Sequence, residues 1–160
     1  EDASRIAELV NNYNIWINVR DLLPHPYNER DAIDFINATR VEDPPVTFGI
    51  ECKGEICGTI GLTLQEDVYR HSAEIGYWVG ESYWNKGIAT AAVKEMKKYA
   101  SENLNLKRLF ANIYEYNTAS MKVLEKCGFQ KEGIRKKAIF KEGKYVDDVM
   151  YGIRVGDDIS

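Results

Sequence analysis

One loop of this chain combines residue types and spacing that suit the binding of a phosphate group. The apolar run Glu74–Val79 is typical of a strand, and Trp84–Thr90 follows it and leads directly into a helical pattern. The first turn of a helix carries unpaired backbone N–H groups and partial positive charge, so an anion is stabilised there. Gly87 has no Cβ atom and would let a phosphate approach the backbone. Ala89, two positions later, has the next smallest side chain. Because any loop that enters a helix can contain glycine, a purely structural loop is the alternative interpretation.

A second segment repeats this arrangement. Residues Asn117–Phe129 follow another strand-like run, Leu106–Tyr114, and begin a helix that Gly128 is expected to end. If the two strands are adjacent, both helix starts lie at one edge of the sheet, where ligand sites of α/β proteins collect. Asn117 and Ser120 lie one helical turn apart, which predicts either a helix cap or two polar groups that face a ligand.

The hydrophobic periodicity predicts the elements that must position these segments, in the order α-α-β-β-β-α-β-α-β-β. Strands are expected at Val46–Cys52, Ile56–Leu64, Glu74–Val79, Leu106–Tyr114, Phe129–Phe140 and Lys144–Val155. A strand, a helix and a strand in succession imply one parallel pair in an otherwise antiparallel sheet. The expected fold is therefore α/β (α+β), with a mixed, mostly antiparallel sheet flanked by about four helices, in a single domain over residues 1–160.

Two further expectations concern the helical and loop regions. The segment Asn14–Pro26, which follows a first helix ended by Asn11–Asn12, mixes aromatic, charged and proline residues, as in a shaped loop that forms a pocket wall. In the third helix, the expected buried face is Ile88, Ala92, Met96 and Tyr99, and the residues expected to face away are Lys94, Glu95, Lys97 and Lys98.

Charge, hydropathy and cysteine spacing argue against several classes of protein. The formal net charge is −4 and the basic residues are scattered, so nucleic acid is not expected as a partner. No apolar run is long enough to span a membrane, and the start at Glu1 lacks the pattern of a secretory signal. Three cysteines without metal-ligand spacing to a histidine predict buried thiols, no metal site and a reducing, cytoplasmic location: Cys52, Cys57 and Cys127.

The order of elements and the two motifs together resemble the GNAT acetyltransferase family, over nearly the whole chain. The loop 84–90 is similar to the family's pyrophosphate-binding motif, Q/R-x-x-G-x-G/A, and segment 117–129 is similar to its N-x-x-S/A…G-F motif. The run Tyr83–Thr90, with Asn117, Ser120 and the later Glu-Lys-x-Gly-Phe sequence, resembles the RimJ/RimL-type branch of N-terminal protein acetyltransferases.

This resemblance implies that acetyl-CoA is the acyl donor. The strand at 74–79 would offer backbone groups to the pantetheine arm, with an oxyanion donor near Trp78 or Val79, and the loop amides would bind the pyrophosphate. Trp84 stands where the family prefers glutamine or arginine, which matters little if backbone amides bind there. The expected cofactor-binding residues are Trp78, Val79, Trp84, Asn85, Lys86, Gly87, Ile88, Ala89, Thr90, Asn117 and Lys126.

Three residues are candidates for the chemistry. Leu124 stands where many relatives carry a tyrosine acid, so Ser120 is the candidate that protonates the leaving thiolate. Glu74 is the best-placed base, acting through a water, and Tyr114 could assist it. The alternatives are a simple helix cap for Ser120, a solvated edge-strand carboxylate for Glu74, a core rim for Tyr114 and a solvated cation for Lys126.

The acceptor stays open at this point. The branch resemblance suggests a protein N-terminus, and a small amine such as a polyamine, amino sugar or amino acid is the other option. An α-amino group with a pKa of about 8 is more easily deprotonated at neutral pH than a lysine near 10.4. The residues that could line its pocket are Trp16, Asp21, Tyr27, Tyr114 and Tyr151. An acyl-CoA-binding sensor or partner module without turnover is the alternative function, and an exposed final strand could pair in a homodimer.

Overall fold

Five helices and six strands make up the part of the chain that the computed structural model describes, residues 2–156. The helices are α1 Asp2–Val10, α2 Tyr13–Trp16, α3 Glu29–Arg40, α4 Ile88–Asn103 and α5 Thr118–Lys126. The strands are β1 Thr47–Cys52, β2 Glu55–Leu64, β3 Ser72–Val79, β4 Arg108–Tyr114, β5 Gln130–Lys141 and β6 Lys144–Arg154. Short 3₁₀ turns lie at Asp67–Tyr69 and Glu81–Tyr83. Among these residues, none of the helices has the length and apolar character that crossing a membrane requires.

The six strands form one sheet in the order β1-β2-β3-β4-β6-β5. β3 and β4 are parallel, whereas β1–β2, β4–β6 and β5–β6 are antiparallel. The predicted mixed, mostly antiparallel sheet with one parallel pair is therefore confirmed. The expectation of an exposed final strand is wrong, because β6 pairs with β4 on one side and β5 on the other. The sheet edge at this end is β5.

Local sequence explains where several elements begin and end. Asn28 and Asp31 form a capping box at the start of α3, each side chain bonding the other's backbone N–H. Gly128 ends α5 with a φ of +90°, as its position predicts. At the β5–β6 turn, Glu142 and Gly143 both have positive φ, +51° and +73°, which matches the twist of a tight hairpin.

The first compact unit comprises Glu1–Gly61 and Tyr77–Ile88, and is called the N-terminal unit. Its core cluster joins α1, α2 and α3 through Ile6, Val10, Ile15, Tyr27 and Ala32, with Trp78 packed against it. The helix α2 lies at the start of the segment expected to be irregular. The sequence predicts Asn12 only as the end of the first helix, whereas Asn12 also caps α2 and accepts hydrogen bonds from the amides of Asn14 and Ile15 at 2.8 and 3.2 Å.

The second compact unit, called the C-terminal unit, comprises Leu62–Gly76 and Ala89–Ser160. The residues of β4 alternate, with Leu109, Ala111 and Ile113 buried. Tyr151 pairs with Ala111 in the sheet and donates a hydrogen bond to Glu125 of α5 at 2.9 Å, so α5 lies over this buried face.

The buried face of α4 differs from the expected one. It consists of Val93, Met96 and Ala100, whereas Ile88, Ala92 and Tyr99 are only half-buried. Lys97, expected to face away, donates a hydrogen bond to the Cys127 carbonyl at 2.6 Å. Through Lys97 and Thr90, α4 contacts Cys127 at the end of α5, a contact that the helical periodicity alone did not indicate.

Candidate active site

The loop between β3 and α4 has a backbone conformation suited to binding a phosphate. Asn85 and Gly87 are both left-handed, with φ of +61° and +75°. Glycine adopts this conformation without steric cost, and asparagine tolerates it better than most residues. A Cβ added at Gly87 would meet no atom within 4 Å, and the loop is exposed. This exposed loop leads directly into the 16-residue helix α4.

The Trp84 side chain links this loop to the end of β3. Its indole Nε1 donates a hydrogen bond to the Val79 carbonyl at 2.7 Å, which ties the loop to the end of β3. The Val79 carbonyl is thus already engaged, and the Trp78 side chain packs against the core cluster of the N-terminal unit. Binding of a cofactor by the backbone N–H groups of Trp78 and Val79 stays a prediction.

A close approach of β2 fixes the end of β3. A Cβ at Gly58 would collide with the Trp78 carbonyl oxygen, so only glycine fits there. Beyond the end of β3, the Gly80 amide donates to the Cys57 carbonyl at 2.8 Å. β3 leads into residues 84–90, which are called the phosphate-type loop, and its end is therefore held closely against β2.

The parallel ladder between β3 and β4 is short. It joins Ser72–Glu74 to Arg108–Phe110, although β3 continues to Val79 and β4 to Tyr114. Pairing between these strands therefore ends at Glu74, before either strand does.

Glu74 lies within the sheet and contacts a neighbouring strand. Asn112 of β4 donates a hydrogen bond to Glu74 Oε1 at 3.3 Å, and Arg135 of β5 donates to Asn112 Oδ1 at 3.4 Å. Arg135 also lies 3.6 Å from the buried carboxylate of Asp148. The alternative of a solvated edge-strand carboxylate is wrong, because β3 lies between β2 and β4 and Glu74 is half-buried.

Tyr114 ends β4 and begins the turn toward α5. It is buried, and its ring contacts Tyr116 edge to face with centroids 6.0 Å apart. Its carbonyl accepts a hydrogen bond from the Asn117 amide at 2.8 Å. Tyr114 therefore has a structural role at this turn, as the core-rim alternative expected, and a catalytic role stays a prediction.

Asn117 is the N-cap of α5. Its side-chain oxygen accepts from the Ser120 amide at 3.3 Å, so the expected cap is present. Ser120 lies in the first turn of α5 and is half-buried. The cap engages the Ser120 backbone amide and not its hydroxyl, and a catalytic role for this hydroxyl stays a prediction.

The end of α5 lies against the first turn of α4. The Cys127 thiol lies 3.5 Å from the Thr90 carbonyl oxygen, and the exposed Lys126 is its neighbour in the chain. Burial raises the pKa of the Cys127 thiol, against the opposing influence of Lys97 and Lys94. Cys127 is thus a buried, protonated packing residue, as expected, and is unsuited to nucleophilic attack.

The aromatic residues expected around an acceptor are divided between the two units, with Trp16 and Tyr27 in the N-terminal unit and Tyr114 and Tyr151 in the C-terminal unit. Tyr27 belongs to the core cluster of the N-terminal unit, and Tyr151 is buried on the α5 side of the sheet. Trp16 stacks on His25, with ring centroids 5.2 Å apart. Across residues 2–156, no cluster of three or more His, Cys, Asp or Glu side chains is arranged to hold a metal ion.

Asn112 and Arg135 were not identified by sequence reasoning. A polar Asn112 in the middle of an apolar strand was the available signal, since a half-buried amide needs a partner. No sequence signal marks Arg135, because its contact depends on the strand order β4-β6-β5.

Comparison with known proteins agrees with this geometry. Residues 1–130 match the family model for an acetyltransferase (GNAT) domain. The uncharacterized N-acetyltransferase p20 of Bacillus licheniformis is 36% identical over 126 residues, which are 78% of this chain and 70% of that protein. The ribosomal protein uS5-alanine N-acetyltransferase of Escherichia coli is 28% identical over 146 residues, 89% of this chain and 75% of that protein.

A solved structure shares the fold. RimL, a ribosomal L7/L12 α-N-protein acetyltransferase in complex with coenzyme A, superposes with a TM-score of 0.82 at 20% identity, over 96% of this chain and 88% of that one. Fold, motifs and relatives together define an N-acetyltransferase that takes its acyl group from acetyl-CoA. The chain belongs to the GNAT acetyltransferase family, and the similarity to the ribosomal-protein acetyltransferases supports the RimJ/RimL-type branch.

Proposed function

We propose that this protein transfers the acetyl group of acetyl-CoA to a primary amine by direct attack in a ternary complex, with residues 1–160 acting as one acetyltransferase domain. The observation that carries the proposal is the exposed loop with left-handed Asn85 and Gly87 at the start of α4. An oriented set of unpaired amides next to a helix dipole suits a pyrophosphate.

In this proposal the donor is held mainly by backbone groups. The amides from Asn85 to Thr90 bind the pyrophosphate, whereas the Trp84 amide donates to the Glu81 carbonyl at 3.1 Å and the Trp84 indole ties the loop to Val79. The backbone N–H groups of Trp78 and Val79 serve the pantetheine arm and the thioester oxygen. Lys126 supplies a cation for the phosphates. Its support is the contact of the adjacent Cys127 with Thr90, which places the end of α5 at the first turn of α4.

The chemical step forms a C–N bond and breaks the C–S bond of the thioester. The neutral amine attacks the carbonyl carbon, and Glu74 accepts the amine proton through a water, with Tyr114 assisting. Ser120 donates a proton to the departing thiolate and recovers it from solvent. Glu74 is supported in this role by the Asn112 amide, which donates a hydrogen bond to its Oε1 at 3.3 Å and so orients the carboxylate.

Direct attack is favoured over an acyl-enzyme because two of the three thiols are buried. Burial raises the pKa of Cys57 and of Cys127, and so depletes the thiolate that a nucleophile needs. Cys52 lies at the end of β1, on the β1–β2 hairpin.

For the acceptor we favour a protein N-terminal amine over a small amine. The support is the similarity to the uS5-alanine N-acetyltransferase. An α-amino group also has a pKa of about 8, so a single carboxylate acting through water is a sufficient base at neutral pH.

A thiol-release assay tests the proposed acceptor. Wild-type protein is incubated with acetyl-CoA and either peptides with varied N-terminal residues or a panel of polyamines, amino sugars and amino acids. Saturable turnover with peptides, lost when their N-termini are blocked, is the expected result. Turnover confined to a small amine would replace the proposed acceptor class.

A further inference from the structure

The turn that precedes the phosphate-type loop is fastened to the start of α2. The Asn12 side-chain amide donates to Glu81 Oε2 at 2.7 Å, and the Asn14 side-chain amide donates to Glu81 Oε1 at 2.9 Å. Both carboxylate oxygens of Glu81 therefore bind the same short segment. All of these residues belong to the N-terminal unit.

Asn12 has a second role that makes this connection specific. Its side-chain oxygen caps α2 by accepting from the amides of Asn14 and Ile15, while its side-chain nitrogen holds Glu81. A four-residue helix is far too short to be stable by itself, so its order depends on such contacts. One amide group thus links the position of Glu81 to the formation of α2.

The segment that begins with α2 carries an aromatic cluster. Tyr13 and Trp16 have ring centroids 5.9 Å apart, and Trp16 stacks on His25 at 5.2 Å. Any displacement of α2 therefore displaces aromatic side chains along the segment Asn14–Pro26, which the sequence predicts to be a pocket wall.

The position of Glu81 in the chain is otherwise unfavourable for binding phosphate. It lies three residues before Trp84, and a mobile carboxylate near a pyrophosphate would repel it. Two amide donors hold the carboxylate in one place. These two hydrogen bonds keep the Glu81 carboxylate in a fixed position, where it connects the 81–83 turn to α2.

We propose that Glu81 is a positioning residue that couples donor binding to the order of α2: CoA bound at the 84–88 loop orders the 81–83 turn, and the hydrogen bonds of Glu81 with Asn12 and Asn14 stabilise α2 in turn. The inference rests on the proposed binding of CoA at this loop. Coupling between two bound segments is reciprocal, so an ordered α2 also favours donor binding.

Amide hydrogen exchange tests this coupling without knowledge of the acceptor. Exchange of the α2 amides, residues 13–17, is measured with and without saturating CoA in wild type, Asn12→Asp and the double variant Asn12→Asp/Glu81→Gln. Aspartate caps a helix as well as asparagine, but it replaces the donor to Glu81 with a second carboxylate. In the double variant, the glutamine amide donates to the carboxylate introduced at position 12, and its carbonyl oxygen still accepts from Asn14. Both hydrogen bonds are thereby restored.

In wild type, CoA is expected to slow exchange at α2 by about tenfold, as the stabilisation of hydrogen bonds to a charged group suggests. Asn12→Asp should lose this response while still binding CoA by calorimetry, and the double variant should recover it. Should Asn12→Asp fail to fold, Glu81→Ala serves in its place, with the same loss expected.

Three outcomes would overturn the coupling: an α2 that does not respond to bound CoA in wild type, an Asn12→Asp variant that responds like wild type, or a double variant that stays unresponsive. Each requires that CoA binds. A wild-type protein that does not bind CoA would instead contradict the proposed function, so the two failures are distinguishable.

Discussion

Replacing Gly87 with alanine should weaken CoA binding through the backbone alone. Gly87 has a φ of +75°, and a Cβ there would contact no atom within 4 Å, so the change introduces no clash within the protein. The left-handed conformation costs an L-residue about 1–2 kcal/mol. The exposed loop can relax when no ligand is bound, and CoA binding must then restore the strained conformation. The expected increase in Kd is about 5- to 30-fold.

Gly143→Ala is the matched control. Gly143 has a nearly identical φ of +73°, and again no atom lies within 4 Å of an added Cβ. It lies in the tight turn between the paired strands β5 and β6, which cannot relax as the loop can. This variant should therefore lose about 1–2 kcal/mol of unfolding free energy and bind CoA normally.

Calorimetric titration with CoA and urea denaturation of both variants give the comparison. Gly87→Val, with a branched Cβ, should show no measurable binding. An unchanged Kd for Gly87→Ala would refute the assignment of this loop to the pyrophosphate. Equal loss of affinity in Gly143→Ala would show that the effect arises from general destabilisation.

Three other predictions concern separate parts of the molecule. Ser120→Ala should lower kcat by about 10²-fold and leave the Kd for CoA nearly unchanged, since a proton donor acts only in the chemical step; equal turnover would remove Ser120 from the mechanism. At pH 8, iodoacetamide should modify the half-buried Cys52 before Cys57 and Cys127, whose thiol pKa values burial raises, and mass spectrometry of peptides would reveal any other order. Arg108 lowers the pKa of Glu132, so this carboxylate stabilises the fold above its unfolded pKa and loses that contribution as the pH falls. Because the pair is about one-third exposed, Glu132→Gln should cost less than about 1 kcal/mol at pH 7, and the difference from wild type should shrink below about pH 4; a difference that grows in acid would contradict the ion-pair account.

Most of the sheet was predictable because local sequence patterns mark its strands and turns. Alternating apolar residues and tight turns, such as Glu142–Gly143, define strands and hairpins within a few residues. The parallel pair followed from the strand, helix and strand order around α4. The position of β6 did not follow, because its place between β4 and β5 depends on pairing between strands distant in sequence.

The candidate site was predictable only where its signals are local. A glycine in a loop at a helix start and an asparagine three residues before a serine are visible in the sequence, and the structure places Gly87 and Asn117 accordingly. The bond between Glu74 and Asn112 depends on the register of adjacent parallel strands. The helix α2 was missed because it depends on contacts with Glu81, 67 and 69 positions away along the chain, rather than on helical periodicity.

The most direct test of the proposed chemistry compares wild type with Glu74→Gln in the thiol-release assay, together with the Kd for CoA of each. Glutamine keeps an oxygen that accepts from Asn112, so the local structure is retained and only the base is lost. We predict equal Kd values and a loss of kcat of at least about 10²-fold at pH 7, which diminishes as the pH approaches the acceptor pKa of about 8. Equal turnover by the two proteins, or no turnover by wild type with CoA bound, would contradict the account.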